Sequence, residues 1–556
     1  MRPSLKRILV IFVAAEASLA VVNLAAYFGG FDGDPLIHVC FAENASRGGW
    51  FQFNLGQPVS GVTSLSWLAA GALGWSLSGI KGCLFIYDGL ILLSWLGGAI
   101  CLGYLTARWG GYRILGVLVA AVFLGFPGIA ANGLTGMENM TFGFFVFLFV
   151  LVYTTFSEKQ GRGNRTALSE LWLGILLALA VLTRPEGFAL AAAFAAIEII
   201  PALSTANREE ARSRWKSLCL VGAIFLLIVL PIGIFHFLAT HHIVPGSGMA
   251  RLMHSRRLAT SFHLFGPFWF YPRTLARLAI YLPLAAGLIV AFWISLPRRG
   301  QKVLGRLEKP GRSSFLLAVW AVVLGIGLYS FVTGAVHTNR YTIWIVGLAT
   351  AIAFSIAGRL LQAAAGRKLK FARALLLIGI SCMFLLHCGE TYFRLQRGDQ
   401  KKLLSWSEIT GAVKSRQERT DELIRAVEEG GCKTGPNKVG LLLQEVQARL
   451  AYDDRVVFFS RDGRTHGLSF DRFGCPDLIP VLRSPDLMVI MDDINGGTIQ
   501  GCIKDPEGLR LSELYKNDNL LETAGWKKVL LKRYWRGYEK SSPNADVFPA
   551  LIRTCR

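Results

Sequence analysis

Residues 31–67 read FDGDPLIHVCFAENASRGGWFQFNLGQPVSGVTSLSW and separate two long apolar parts of the chain. Asp32 and Asp34 stand at the start of this stretch, just past the end of the first apolar run. The residues that follow are rich in Gly, Asn, Ser, Gln and aromatic side chains. A connector between two membrane helices needs only a few residues, so a long loop of this composition indicates a place where chemistry occurs.

The composition is that of a membrane protein. Of the 556 residues, 53% are hydrophobic, and the mean hydropathy is +0.43. The apolar residues come in runs of about 20, the length that crosses a bilayer. The formal net charge is +22, but the basic residues form short clusters between the apolar runs, as in the cytoplasmic loops of membrane proteins. We therefore expect membrane lipids, and not nucleic acid, as partners.

The apolar runs predict eleven transmembrane helices. They cover approximately residues 8–28, 83–107, 114–132, 139–156, 171–183, 187–204, 217–238, 274–296, 314–333, 341–358 and 374–388. The first run is long and lacks a clear cleavage site, which predicts a retained helix with a cytoplasmic N-terminus. This topology puts 23 Lys and Arg residues in the inner clusters and 8 in the outer loops, in agreement with the positive-inside rule. Residues 62–80 are then a juxtamembrane or re-entrant segment.

Residues 389–556 differ from the rest because charges of both signs are frequent there. The segments KVGLLL, RVVFFS and DLMVIMDD are typical of short buried strands, and residues 401–429 of an amphipathic helix. We predict a mainly α, polytopic membrane protein, with a transmembrane catalytic domain over 1–388 and an extracytoplasmic soluble α/β domain over 389–556. The four cysteines of this domain could form two disulfides or could be buried free thiols, and the sequence does not decide between them. They are Cys432, Cys475, Cys502 and Cys555.

Charged side chains gather at the predicted outer ends of the helices. They include Asp32, Asp34, Glu138, Arg184, Glu186, Arg251, Arg256, Arg257 and Arg340. A lipid phosphate would lie at that depth, and a guanidinium matches the geometry of phosphate. A carboxylate there could act as a general base on a hydroxyl acceptor. The pattern predicts a site at which a lipid-linked phosphate and an acceptor meet.

Each of these residues also has a structural interpretation. Asp34 could cap a short helix that begins at Pro35, and Arg184 and Glu186 could form an ion pair at a helix end. The arginines of 251–273 could contact lipid headgroups. Asp32 and Asp34 have the Asp-x-Asp spacing of metal sites in sugar transferases. This tripeptide is common, so the sequence does not decide whether the protein binds a divalent cation. Glu16, inside the first span, is expected to be a structural partner.

The loop resembles a known family. Residues 34–67 are similar to the first outer loop of the membrane-embedded GT-C glycosyltransferases, most of all the branch with the mycobacterial terminal arabinofuranosyltransferase. The matching positions are Asp34, Ala42, Asn44, Gly48, Phe53, Asn54, Gly56, Pro58, Val59, Gly61, Thr63, Ser64 and Trp67. The family's LTRPEG stands unchanged at 182–187, and residues 135–138 resemble its sGlE. The chain departs from the family at Gly33, Cys40, Ser60, Val62 and Ser460, where the family has Asp, Arg, Glu, Tyr and Asp.

The resemblance implies an inverting glycosyltransferase of the cell (inner) membrane. Its donor would be a sugar on polyprenyl phosphate, and its acceptor a hydroxyl of a cell-envelope glycan or glycolipid on the outer face. Asp34 would be the catalytic base, with Asp32 beside it. The substrate-binding candidates are Glu138, Arg184, Glu186, Arg251, Arg256, Arg257, Arg340, Asn54 and Thr63. No nucleotide-binding fingerprint follows a predicted strand.

Two other classes of function stay open. A transporter or flippase of a lipid-linked glycan would use similar charges, but it should show internal repeats and interrupted helices in corresponding halves. The sequence shows no such repeat. A catalytically inactive relative that serves as an assembly factor is the second alternative, because the chain departs from the family close to Asp34.

Overall fold

The structure is a computed structural model that describes residues 3–160, 167–241, 309–333, 342–363, 366–398, 400, 403–429, 439–442, 455–459, 488–492, 526–532 and 547–553. Within these ranges, six helices are long and apolar enough to cross a membrane, or seven if one bent pair counts as a single span. The protein is a mainly α, polytopic membrane protein with an α/β part at its C-terminal end.

The helices follow the predicted apolar runs closely. They are α1 Pro3–Tyr27, α2 Gly33–Ser46, α3 Leu65–Gly110, α4 Arg113–Gly125, α5 Pro127–Gly133, α6 Asn139–Gln160, α7 Ala167–Thr183, α8 Gly187–Ser204, α9 Arg208–Thr240, α10 Lys309–Thr333, α11 Ile343–Ala363, α12 Gly366–Gln396, α13 Trp406–Lys414 and α14 Arg416–Glu429. The predicted spans 8–28, 139–156, 187–204 and 217–238 are confirmed as helices of membrane length. The predicted span 274–296 lies outside the described residues, so the number of eleven stays a prediction.

Two compact units make up the chain. We call the first the helical unit, which contains Met1–Gly29, Asp88–Ile232 and Phe262–Gln400. We call the second the loop unit, which contains Gly30–Tyr87, Gly233–Ser261 and Lys401–Arg556. The long acidic loop and the C-terminal part therefore belong to the same unit. The division into domains 1–388 and 389–556 stays a prediction.

Aromatic side chains fill the core of the helical unit, where α6 packs against α7, α10 and α11. Phe147 of α6 meets Phe123 of α4 edge to face, with 5.7 Å between ring centroids. Phe142 of α6 meets Trp344 of α11 in the same way at 5.9 Å. These large buried rings fix the positions of the helix ends that carry the charged residues.

The predicted span 114–132 is a bent pair of helices, which can count as one broken span or as a re-entrant segment. The helix breaks at Phe126, and the two parts, α4 and α5, meet at an angle of 54°. Pro127 has no N–H and cannot continue the hydrogen-bond ladder, which leaves carbonyl groups at the end of α4 without helical partners. The side chain of Asn23 on α1 donates to the carbonyl of Gly125 over 2.8 Å, so this buried group is satisfied from another helix.

The segment predicted as juxtamembrane or re-entrant, residues 62–80, folds back on the following helix. The helical geometry of α3 breaks at Ser78 and Gly79, and Gly79 has φ +60° and ψ −145°, a conformation open to glycine alone. The arms on either side are in contact, since a Cβ on Gly74 would lie 2.6 Å from the carbonyl oxygen of Gly82. The first arm is only about 20 Å long, shorter than the hydrocarbon core of a bilayer of about 30 Å.

Short strands organise the loop unit. Within the acidic loop these are β1 Gly30–Phe31, β2 Gln52–Asn54 and β3 Gln57–Pro58, and the C-terminal part adds β4 Leu404–Ser405, β5 Val439–Leu442, β6 Val456–Phe459, β7 Met488–Asp492, β8 Trp526–Lys532 and β9 Val547–Arg553. Strand β1 pairs antiparallel with β4, and β2 pairs antiparallel with β3. A five-stranded sheet has the order β6-β5-β7-β9-β8, parallel among β6, β5 and β7 and antiparallel from β7 onward.

The three strands predicted in the C-terminal part are confirmed as β5, β6 and β7. The single helix predicted over 401–429 is wrong, because Ser415 separates α13 from α14. A capping box begins α13, in which the side chains of Ser405 and Glu408 bond each other's backbone N–H groups. The sequence analysis missed β8 and β9, which complete the antiparallel half of the sheet.

Candidate functional site

A buried cluster of charged groups surrounds Arg184 in the helical unit. Its Nη1 donates to Glu138 Oε1 over 2.5 Å and to Asn139 Oδ1 over 2.7 Å. Its Nη2 and Nε donate to the two carboxylate oxygens of Glu186 over 2.8 and 3.2 Å. The side chains of Arg184 and Glu138 are 7% and 1% exposed. The structure thus brings together three of the predicted site residues, Glu138, Arg184 and Glu186.

The LTRPEG motif forms the tight turn that positions Arg184. Helix α7 ends at Thr183, and the carbonyl of Arg184 accepts from the N–H of Gly187, the first residue of α8, over 2.9 Å. Position 187 requires glycine because a Cβ there would lie 2.7 Å from the backbone nitrogen of Val181. This close approach keeps the turn short, so Arg184 and Glu186 extend from the same helix corner.

A second turn, between α5 and α6, positions Glu138. Gly136 in this turn has φ +88°, a left-handed conformation that favours glycine. The carbonyl of Glu138 accepts from the N–H of Phe142 over 2.9 Å, which begins the hydrogen-bond ladder of α6. Because α6 packs against α7, the start of one helix meets the end of the other, and Glu138 reaches Arg184.

The hydrogen bonds in this cluster decide what each member can do. Three nitrogens of Arg184 are engaged by carboxylate or amide oxygens of its neighbours. A buried guanidinium with such partners is held in one geometry, and its partners are held with it. The side chain of Glu186 is 18% exposed. It is the most exposed member of the cluster.

Asp32 and Asp34 lie at the start of α2 in the loop unit. Asp32 is the N-cap of this helix, and its Oδ1 accepts from the N–H of Gly33 over 2.7 Å. The interpretation of Asp34 as the cap of a helix beginning at Pro35 is therefore wrong. Asp34 is half-buried in the first turn of α2, where the positive end of the helix dipole stabilises a negative charge.

Side chains hold the rest of the acidic loop in a defined shape. Asn44 Nδ2 donates to the carbonyls of Gln52 and Phe53 over 3.0 and 2.8 Å. Ser60 Oγ forms a hydrogen bond of 3.3 Å with His236 Nε2 at the end of α9. Of the two substrate-binding candidates in this loop, Asn54 is buried at the end of β2 and Thr63 is half-buried before α3.

A second ionic cluster links α2 to α14 within the loop unit. Glu43 is buried, and its Oε1 accepts from Arg47 over 2.7 Å and from Arg416 over 2.6 Å. Arg47 is the C-cap residue of α2, and Arg416 is the first residue of α14. Together with the β1–β4 pairing, this cluster fixes the helix that carries Asp34 against the C-terminal part of the chain.

Four predicted phosphate-binding residues, Arg251, Arg256, Arg257 and Arg340, lie outside the described residues, and their roles stay predictions. Sequence analysis missed Asn139 and Arg416, and it placed Glu43 among the outer acidic residues without giving it a role. Asn139 directly follows Glu138, and Glu43 stands four residues before Arg47 on a helix, so both offered a local signal. In the described part of the chain, no group of three or more His, Cys, Asp or Glu side chains could hold a metal ion. A divalent cation stays an untested prediction.

The fold is similar to that of several solved structures. The crystal structure of ArnT from Cupriavidus metallidurans bound to undecaprenyl phosphate has a TM-score of 0.53, with 11% identity, over 98% of this chain and 97% of that one. ArnT in the apo state gives 0.52 and 12%, over 98% of each chain. The Archaeoglobus fulgidus oligosaccharyltransferase in complex with Zn and sulfate gives 0.52 and 14%, over 91% of this chain and 70% of that one.

Comparisons of sequence give no match: no protein-family model matches the chain, and no curated protein is significantly similar to it. At identities of 11 to 14%, the structural likeness shows the fold alone. The expected mainly α, polytopic membrane fold is thereby confirmed, while membership of the GT-C superfamily, expected from residues 34–67 and LTRPEG, stays a prediction. The arabinofuranosyltransferase branch stays a prediction.

Proposed function

We propose that this protein is an integral membrane glycosyltransferase that moves a sugar from a polyprenyl-phosphate-linked donor to an acceptor hydroxyl. The observation that carries the proposal is a fold similar to that of ArnT, with Asp34 in the first turn of the loop helix α2. The crystal structure of ArnT with undecaprenyl phosphate supports a lipid-phosphate donor. We infer that the acceptor is a cell-envelope glycan or glycolipid on the outer face of the inner membrane, with the N-terminus of the chain in the cytoplasm.

Asp34 is the proposed general base. The acceptor oxygen forms a bond to the anomeric carbon while the bond from that carbon to the phosphate oxygen breaks. The electron pair leaves with the lipid phosphate, the acceptor proton passes to Asp34, and attack from the opposite face inverts the configuration. Asp32 has a carboxylate oxygen engaged by the N–H of Gly33, so we assign it the role of positioning Asp34.

The leaving phosphate gains negative charge in the transition state and requires cations nearby. We propose that Arg251, Arg256, Arg257 and Arg340 supply them. Arg184 was a candidate for the same role, but its guanidinium is held by Glu138, Asn139 and Glu186. We therefore assign Arg184 to the ordering of these side chains, and Glu186 to contact with the acceptor.

Which sugar is transferred is a finer part of the proposal. The loop motif, with Asn54 and Thr63 at family positions, favours an arabinofuranosyl donor. The family's Arg, Glu and Tyr are replaced by Cys40, Ser60 and Val62 in the same loop, and a pocket that loses hydrogen-bonding groups changes its selectivity between sugars. A donor panel that includes pentose and hexose derivatives therefore tests the arabinose assignment.

The test is transfer of radiolabelled sugar by the full-length protein in membranes, with a panel of polyprenyl-phosphate pentoses and hexoses as donors. We expect transfer from at least one donor, and a loss of roughly 100-fold or more in Asp34→Asn, as for removal of a general base. The matched control is Glu390→Gln. Glu390 pairs with Arg394 one turn away on α12, and its substitution should leave transfer unchanged.

Two results would contradict this proposal. Undiminished transfer by a folded Asp34→Asn variant would remove the base assignment and direct attention to Asp32 and Glu138. Absence of transfer from every donor, together with movement of a lipid-linked glycan across vesicles, would favour the transporter over the enzyme. The flipping assay therefore uses the same protein preparation.

A further inference from the structure

A strained turn follows α2 and presents Trp50. The N–H of Gln52 donates to the carbonyl of Gly49 over 3.3 Å, so residues 49–52 form a tight turn. Phe51, at its third position, has φ +58°, where glycine is the usual residue because a Cβ is strained by about 1–2 kcal/mol. A bulky side chain in this conformation is uncommon and points to a function that the surrounding structure supports.

The surroundings of Phe51 explain how the strain is tolerated. Its ring is 2% exposed and packs against His236 and Phe235 of α9, with centroid separations of 4.9 and 5.4 Å. Its carbonyl accepts from the N–H of Val59 over 2.7 Å. Ser60 holds His236 from the other side. The buried ring thus locks the turn in a single conformation.

The side chain of Trp50 faces outward, unlike that of Phe51. Its side chain is exposed (37%), although its neighbour in the turn is almost fully buried. Gly48 precedes it with φ +89°, and the carbonyl of Gln52, which ends the turn, accepts from Asn44. A large aromatic face is therefore held outward on a rigid support, which reduces the entropy lost when a ligand stacks on it.

We propose that Trp50 is a stacking platform for a sugar ring of the acceptor glycan. The C–H face of a sugar is apolar and flat enough to cover an indole, and its hydroxyls can bond polar groups around the ring. Ser46, Arg47 and Gln52 flank the turn in sequence and are accessible. Stacking on an indole requires an apolar ring face and no charge on the ligand, so the ligand class is a neutral sugar. This inference rests on the proposed function for the identity of the glycan as acceptor.

The experiment presents full-length protein in detergent to an array of immobilised neutral oligosaccharides of pentose, hexose and N-acetylhexosamine units. Wild type should bind at least one glycan. Trp50→Ala should weaken the apparent affinity for it roughly 3- to 10-fold, as expected for one aromatic contact, and Trp50→Phe should retain most of it. The matched control is Leu55→Ala, which removes another exposed apolar side chain of the same loop and should bind as wild type does.

In the transfer assay, Trp50→Ala should raise KM for the acceptor by a similar factor, with KM for the donor and kcat unchanged. Any of three results would overturn the inference: wild type binds no glycan, Trp50→Ala binds equally well, or Leu55→Ala weakens binding as much. The last result would indicate a general apolar surface for lipid.

Glycan binding that depends on Trp50, without transfer by wild type, would remove the proposed function and leave this inference standing. Transfer by wild type, with an unchanged acceptor KM in Trp50→Ala, would remove this inference and leave the proposed function standing.

Discussion

At the scale of single residues, the structure depends on side chains that satisfy backbone groups far away in the chain. Asn23 is the clearest case, because its amide bonds the carbonyl of Gly125 where Pro127 ends the ladder of α4. The contact is buried between α1 and α4. Inside a membrane no water replaces such a partner, so the loss of this amide leaves a buried acceptor unpaired.

We predict that Asn23→Leu destabilises the protein by about 1–3 kcal/mol, the cost of an unsatisfied buried group. The measurement is the thermal unfolding midpoint of purified protein in detergent. Ser18→Ala on the same helix is the control, since Ser18 is exposed and its hydroxyl donates to the carbonyl of Ala14, four residues back. Equal midpoints for Asn23→Leu and wild type would contradict the assignment.

A second prediction concerns Arg184. Replacing it by Met leaves Glu138 buried without its cation, and we expect a loss of about 3–5 kcal/mol. In the double variant Arg184→Met with Glu138→Gln, the buried charge is absent. It should be less destabilised than the sum of the two single variants, because the residues are coupled. Additive losses in the unfolding midpoints would show that the pair does not act as a unit.

Much of this residue-level arrangement was readable from sequence, but its geometry was not. The motifs around Glu138 and Arg184 indicated important residues, and the positions of these residues at helix ends were expected. The hydrogen bonds between them depend on the packing of α6 against α7, which no local pattern encodes. Asp32 took the capping position expected for Asp34 because α2 begins before Pro35, and helix ends are the least certain part of any pattern.

At the scale of elements, the backbone reversal within α3 depends on glycine. The two arms approach most closely at Gly74 and Gly82. We predict that Gly74→Ala destabilises the protein by about 1–3 kcal/mol, because the new methyl group would overlap the backbone of the opposite arm. The thermal midpoint in detergent measures this change.

Gly89→Ala provides the comparison on the same helix. A Cβ at Gly89 meets open space, and alanine is the better helix former, so the midpoint should stay the same or rise slightly. If Gly89→Ala lowered the midpoint as much as Gly74→Ala does, general sensitivity of α3 to substitution would explain both effects. The close contact between the arms would then not be the cause.

Elements with a strong periodic or apolar signal were predictable from sequence, as the helices α6, α8 and α9 show. The strands β5 to β7 are short continuous apolar runs and were also found. The strands β8 and β9 were missed although they pair over seven residues. Pairing between these two strands decides that they are extended. The sequence of Trp526–Lys532 mixes lysines with an apolar run and lacks the alternation of polar and apolar residues that is typical of a strand.

At the scale of the whole molecule, the loop unit unites segments from three separate parts of the sequence. Glu43 and Arg416 illustrate the connection, because they form an ion pair although they are 373 residues apart. No sequence pattern could have paired them. The composition did predict an α/β part after the last span, but not its union with residues 30–87.

We predict that Arg416→Ala loosens α14 from α2 and makes Trp406–Glu429 more sensitive to limited proteolysis. The reason is that Glu43 keeps only Arg47 as a cation among its described partners. Arg425→Ala, on the exposed side of α14, is the control and should be cleaved at the wild-type rate. Identical rates for both variants would argue against a stabilising role of the Glu43 pair.

The pairing of β1 with β4 has a consequence for biosynthesis. Translation proceeds at about 5–20 residues per second, so roughly 20 to 75 seconds separate the emergence of Glu43 from that of Arg416, 373 residues later. During this interval the helix with Asp34 exists without the strand and the arginine that complete its unit. A ribosome that stalls before residue 404 therefore releases a chain with all its apolar spans but an incomplete acidic loop. Under the proposed function, such a chain should be inactive until the last segment has joined it.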